Sequence, residues 1–307
     1  MARPGAGLVL YAKLVGCMAL WGATWVSGRV VAQQMTPFAA AFLRFLCASA
    51  FLYVLLCRDA AQSGRTGPGG GRWPMLARAR LPGVLFLALT GVALYNALFF
   101  SGLARISAGR AALIVACVPS TVALYAWIAQ QRPTGALKAL GIALSLLGVA
   151  VILSGGDPLA LVRQGVDRGD LLILGCMITW AAYTIGGGRV MRRDTPLSAV
   201  TWSCILGCAM LLPPALAQDM IGQAQHASWL IWGNIAFLGV GATGLAFTWY
   251  YDGILALGAQ RASVFLNLVP VFAMLMGALI LGESVGPALV IGGAMVLAGV
   301  ILANRPA

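Results

Sequence analysis

Charge is what this sequence lacks most. Of 307 residues only 9% are Asp, Glu, Lys or Arg, whereas soluble domains carry roughly 25%. A water-exposed globule of this length could not cover itself with so few charges, so the chain reads as a polytopic membrane protein. Acids number eight and histidines one. The single histidine, His226, falls in a polar connection, and no HExxH pattern, Ser-His-Asp candidate or buried carboxylate pair is present. That disfavours an enzyme and leaves no metal ligand set. There is no Walker motif, which disfavours a pump driven by nucleotide, and no cofactor is expected. The seven cysteines sit almost wholly in apolar stretches without metal or redox spacing and read as small buried hydrophobes.

What the sequence has is long apolar runs, covering 10–32, 38–57, 81–103, 107–129, 134–154, 169–188, 197–217, 229–251, 261–281 and 285–303. A bilayer core about 30 Å thick needs about 20 apolar residues per helix. The runs are continuous, not alternating, so they predict ten transmembrane helices and no barrel strands. The first has a full counterpart later in the chain and is expected to be retained rather than cleaved as a signal.

The net charge of +12 is distributed in a telling way. Arg58, Arg65, Arg72, Arg78 and Arg80 share the loop between spans 2 and 3. With the N-terminus inside, 14 of the 20 Lys and Arg face the cytoplasm, five face outward, and Arg44 lies within span 2. This is the positive-inside pattern. It predicts an inner-membrane protein with both termini cytoplasmic, in contact with membrane lipid and not with nucleic acid.

The chain also repeats itself. GCMALWGATWVSGRVVAQQMTP (Gly16–Pro37) and GCMITWAAYTIGGGRVMRRDTP (Gly175–Pro196) agree at nine of 22 positions at an offset of 159. GLARISAGRAALIVACVP (Gly102–Pro119) and GILALGAQRASVFLNLVP (Gly253–Pro270) share Gly, Ala, Arg, Ala, Val and Pro at an offset of 151. The change of offset fits a shorter loop in the second copy. The expected organisation is two five-helix repeats, 1–156 and 157–307, forming one transport domain. Because five is odd, the second copy must insert upside down, a recurring plan of secondary transporters with the substrate site at the repeat interface. Pro119 and Pro270 occupy matching places; each removes a backbone donor and either marks the site or shapes packing.

WGATW (Trp21–Trp25), FLRFL (Phe42–Leu46), the matched Val-Pro of spans 4 and 9, and LGE (Leu281–Glu283) before a glycine-rich last helix resemble the drug/metabolite transporter superfamily. More narrowly, the ordered set is similar to its EamA-type exporters, including bacterial aromatic-amino-acid exporters. Where the second half has Gly-Glu, the first has Gln131-Arg132. The resemblance implies a central cavity lined by spans 1, 3, 4, 6, 8 and 9, with spans 5 and 10 at the periphery.

Candidate substrate contacts follow from helical spacing. Trp21, Thr24, Trp25 and Gly28 share one face of span 1, aligned with Trp180, Tyr183, Thr184 and Gly187 of span 6. Trp21 and Trp180 lie mid-span, away from an interfacial belt. Span 3 offers Tyr95, Asn96 and Phe99, and span 8 offers Phe247 and Tyr250, which align with Asn96 and Phe99. Asn267 in span 9 completes the set. A buried amide needs a partner, so Asn96 and Asn267 bond either between helices or to a solute. An intramembrane Arg44 is a functional candidate by default. The resemblance places span 2 away from the cavity, so the expectation is a structural arginine donating to backbone carbonyls. Arg29 lies near the outer mouth, and Glu283 is expected to favour the N-terminus of the last helix. Gly239-Val-Gly241-Ala-Thr-Gly244 mimics a dinucleotide fingerprint but lies inside an apolar span, where its glycines allow close helix approach.

The expected function is secondary transport of a small amphipathic solute, most directly an aromatic or hydrophobic amino acid, by a chain that works as a monomer. No Asp, Glu or His lies mid-membrane in the cavity spans, which favours uniport or exchange, with Asp252 as the one suspect for coupling. The alternatives are a proton-coupled drug or metabolite exporter and, in another class, a membrane-integral enzyme or scaffold.

Overall fold

The computed structural model describes residues 4–63, 76–129, 135–157, 166–190, 195–246, 249–250, 253, 256, 262 and 265–303. These are helical throughout, with no strand among the described residues. In chain order the helices are α1 (Pro4–Ala32), α2 (Pro37–Ser63), α3 (Arg78–Leu103), α4 (Ala108–Ile128), α5 (Ala136–Ser154), α6 (Arg168–Val190) and α7 (Pro196–Ala217). A short α8 (Met220–His226), α9 (Trp229–Ala236), α10 (Leu268–Leu281) and α11 (Pro287–Ala303) follow. Seven helices, α1 to α7, are long and apolar enough to cross a membrane, and α9, α10 and α11 are shorter apolar helices. The described segments fall within or closely overlap all ten predicted runs, and α8, which contains His226, was not anticipated.

Local chemistry sets the ends. Ser107, Thr195 and Ser228 each accept a backbone N–H from the residue three positions on, capping α4, α7 and α9. Gly155 and Gly282 end α5 and α10 at φ 61° and 66°, a left-handed turn in which a Cβ would be strained. Leu147, Ile178 and Leu279 point outward and exposed, as suits helices facing lipid.

In lipid, apolar area alone gives helices no reason to associate, so close packing must hold them. The most extensive pair is α5 with α11. A Cβ on Gly148 would lie 2.7 Å from the Gly292 carbonyl oxygen and 2.7 Å from the Val296 nitrogen, so only glycine permits this seam. Next come α3 with α6, then α2 with α7 and α1 with α10. Helices α4 and α9 pack among these.

The two halves repeat their contacts as well as their letters. Cys17 Sγ donates to the Ala246 carbonyl (3.0 Å), and its counterpart Cys176 donates to the Tyr95 carbonyl (3.4 Å). Gly16 faces the Trp249 ring as Gly175 faces Leu98. Both acceptors and both packed side chains are related by the offset of 151 found in the sequence.

Candidate functional site

Four interruptions of regular helix converge at the centre. α3 becomes a π-helix over Ala88–Leu94, and α9 runs on into a π-helix over Phe237–Leu245. α4 loses its α-helical pattern at Ala116 and Cys117, just before Pro119. At the matching place a 3₁₀ turn, Phe265–Asn267, precedes Pro270. Proline has no N–H, so the carbonyls of Val115 and Leu266 lose their donor four residues on. π-helical segments recur at functional sites. Here side chains add bonds to their carbonyls. Asn96 Nδ2 donates to the Val92 carbonyl (2.9 Å) and more loosely to that of Gly91 (3.5 Å). Trp21 Nε1 donates to the Ala242 carbonyl (3.0 Å), and Thr243 Oγ1 to that of Leu238 (3.2 Å).

These breaks border a cavity of about 480 Å³. Of the sequence candidates, Trp21, Trp25, Tyr95, Asn96, Trp180, Tyr183, Tyr250 and Asn267 line it. Phe247 lies outside the described residues, as does Asp252. Phe99 does not line the cavity. At 2% exposure it is packed behind the wall, its ring 5.2 Å from Trp25 and 5.8 Å from Tyr95. Thr24 is a lining residue, but Thr184 is exposed and returns its hydroxyl to the Trp180 carbonyl.

The aromatic wall comes in two groups. Trp180 stacks on Tyr183 (5.0 Å, 23°) and meets Tyr95 (5.0 Å), while Trp21 meets Tyr250 across the halves (5.2 Å). Gly91 matters here, since a Cβ on it would run into the Tyr183 ring.

Helices α2 and α7 contribute lining that the sequence did not suggest: Arg44, Phe45, Val200, Ser203 and Cys204. Arg44 corrects the expected reading. It faces the cavity, and its Nη1 donates to the side-chain oxygen of Asn96 (3.0 Å), not to backbone carbonyls. Its guanidinium lies 5.3 Å from the Phe45 ring centre and 5.7 Å from that of Phe99. Its Nε is buried without a partner among the described residues. The glycine-rich stretch behaves as expected, because a Cβ on Gly239 would meet the Arg44 carbonyl oxygen at 2.8 Å.

Beyond the cavity, at the end where α1 stops and α4 starts, ion pairs tie residues from the two halves. Arg110 Nε and Nη2 each reach one oxygen of Asp170 at 2.7 Å, and Nη2 also donates to the Leu153 carbonyl (3.1 Å). Arg29 Nε lies 3.1 Å from Glu283, and its Nη1 donates to the carbonyls of Leu103 and Ile106. Glu283 accepts the backbone N–H groups of Ala108 (2.8 Å) and Gly109 (3.3 Å). It therefore sits at the N-terminus of α4, a favourable place for a carboxylate, and not at that of the last helix as expected. No group of three or more His, Cys, Asp or Glu that could hold a metal occurs among the described residues.

The sequence profile of the EamA-like transporter family matches residues 8–154 and 167–305. The uncharacterized transporter YyaM of Bacillus subtilis is 28% identical over 298 residues, covering 97% of this chain and 94% of that protein. A probable terminal-alkyne amino-acid exporter of Streptantibioticus cattleyicolor is 29% identical over 243 residues, 78% of this chain and 77% of that protein. A crystal structure matches with a TM-score of 0.60 at 19% identity, covering 96% of this chain and 98% of that one, which is a likeness of fold.

Proposed function

Because this chain belongs to the EamA-like transporter family, we propose that it is a secondary carrier exporting a small amphipathic metabolite, an aromatic or hydrophobic amino acid, by alternating access. The observation that carries the reading is the cavity between the halves, with Trp21, Tyr95, Trp180 and Tyr250 on its walls and Asn96 and Asn267 among them. Aromatic faces suit an apolar or aromatic side chain and attract an ammonium group. Acceptors for that ammonium are to hand at the proline breaks, where Val115 and Leu266 lie among the lining residues. The amino-acid exporter among the relatives is consistent with this substrate class.

The ten apolar segments, the paired contacts of Cys17 and Cys176, and the twin π-helices support two inverted five-helix repeats that rock about the cavity. In this reading both termini are cytoplasmic and one chain holds a whole site. The ion pairs Arg29–Glu283 and Arg110–Asp170 then lie on the outer side and close it. No Asp, Glu or His lines the cavity among the described residues, which supports uniport or exchange.

The test is counterflow of labelled phenylalanine and leucine in liposomes, with and without a pH gradient at matched membrane potential. Labelled solute should accumulate transiently against unlabelled solute, and the gradient should leave initial rates unchanged. Gradient-driven concentrative uptake, abolished by Asp252→Asn, would overturn uniport. Absence of any amino-acid counterflow would overturn the substrate class.

A further inference from the structure

Arg44 is the one cationic side chain on the cavity wall among the described residues. A cation at membrane depth is costly unless something anionic or strongly accepting meets it. Its surroundings supply little of that. A guanidinium carries five N–H donors in a planar fork, and here one neutral amide oxygen, that of Asn96, takes a hydrogen bond while Nε takes none. The other neighbours are the faces of Phe45 and Phe99. No carboxylate of the described residues pairs with it, whereas Arg29 and Arg110 each have one.

Asn96 explains why the fork is held open. The amide is 1% exposed. Its Nδ2 is committed to the carbonyls of Val92 and Gly91 in the π-helix, so its oxygen must turn towards Arg44. The arginine is thus oriented by an uncharged partner, and no described residue compensates its charge. Resting on the carrier reading above, we propose that Arg44, positioned by Asn96, is the anchor for a carboxylate on the transported solute. The solute is therefore a monocarboxylate with an apolar or aromatic body, whose anionic end lies at α2 and α3 and whose body lies against Trp25, Tyr95 and Trp180. A planar carboxylate matches the fork two oxygens to two N–H groups. A phosphate dianion would ask for a second cation that the described wall does not offer.

The test uses the full-length protein in liposomes. Counterflow of labelled phenylalanine is competed with three unlabelled analogues of the same body: 3-phenylpropionate, which keeps the carboxylate, and phenylalaninamide and phenethylamine, which lack it. The expected order is strong competition by phenylpropionate and competition weaker by about ten- to a hundredfold for the two amines, the range that loss of a charge-assisted hydrogen bond gives. Arg44→Gln should raise the KM for phenylalanine by a similar factor and erase the discrimination between phenylpropionate and the amines. Asn96→Ala, which removes the orienting oxygen together with the Nδ2 bonded to Val92, should weaken the discrimination without erasing it. Each variant is checked for a wild-type elution profile, and the analogue series on the unaltered protein stands even where a variant fails to fold. Equal competition by amide and carboxylate on the unaltered protein overturns the anchor while leaving amino-acid transport intact. Phenylpropionate counterflow without phenylalanine counterflow upholds the anchor and overturns the amino-acid reading. Failure to move either carboxylate overturns both.

Discussion

Asp170→Asn should release the end of the carrier that the ion pairs close. Arg110 meets both oxygens of Asp170 at 2.7 Å. The carboxylate side chain is 1% exposed and the arginine 25%. The amide keeps the size and one acceptor but loses the charge, so Arg110 is left as a cation without its counter-ion. Exposed pairs are worth about 0–1 kcal/mol, and breaking a buried one costs about 3–5 kcal/mol. A buried carboxylate with a partly wet arginine lies between, at about 2 kcal/mol. The pair joins the first turn of α4 to the first turn of α6, on opposite halves. If the halves separate there when the cavity opens outward, the loss falls on the closed state alone and shifts the ratio by roughly 30-fold. The assay places a cysteine at Thr24, with the native cysteines replaced, and follows its labelling by a membrane-impermeant maleimide from outside. Labelling should speed up by about that factor in Asp170→Asn. It should speed up less in the double variant Arg110→Gln/Asp170→Asn, which leaves no orphan cation. Unchanged labelling in Asp170→Asn with transport intact would refute the lock.

Other outcomes follow from the same geometry. Trp180→Ala removes the ring shared by Tyr95 and Tyr183 and should raise the KM for an aromatic solute about tenfold. Ile291→Ala, 57% exposed on α11, should leave transport unaltered, and equal losses in the two would refute the wall assignment. Gly148→Leu should lower the thermal midpoint in detergent, because its side chain meets the backbone of α11 and overpacking costs about 1–3 kcal/mol or more; an unchanged midpoint would show that the seam can yield. A cysteine at Gly69 should react only from the cytoplasm and one at His226 only from outside. His226 is exposed. Reaction of both from one side would break the inverted topology.

The spans were legible because a bilayer imposes a length and a polarity that few other environments impose. The duplication was legible because the residues that persist are those making the same contact twice: Cys17 and Cys176 on a carbonyl, Pro119 and Pro270 at a break. The π-helices were not legible. An extra residue in a turn leaves no mark on composition, and its trace is indirect, in the donors that gather to its carbonyls. Asn96 and Trp21 were picked out for their side chains, yet part of their role is to bond the carbonyls of Val92 and Ala242.

The misplacements of Phe99 and Arg44 have different causes. Helical spacing fixes a face, but what occupies that face depends on how closely the neighbour approaches. Phe99 shares its face with Tyr95, yet a Cβ on Gly28 would lie 2.6 Å from the Phe99 ring, so the glycine admits that ring against α1 and out of the cavity. Gly28 was visible on the same stripe as Trp21 and Trp25, and a missing side chain on an aromatic stripe is the signal for a ring inserted from across. Arg44 was set aside because α2 was expected to be remote from the cavity. Its charge said otherwise by itself, since a guanidinium and an amide in separate spans each require a partner at the same depth. Matching the unsatisfied groups of different spans, Arg44 with Asn96, brings α2 to the cavity wall from the sequence alone.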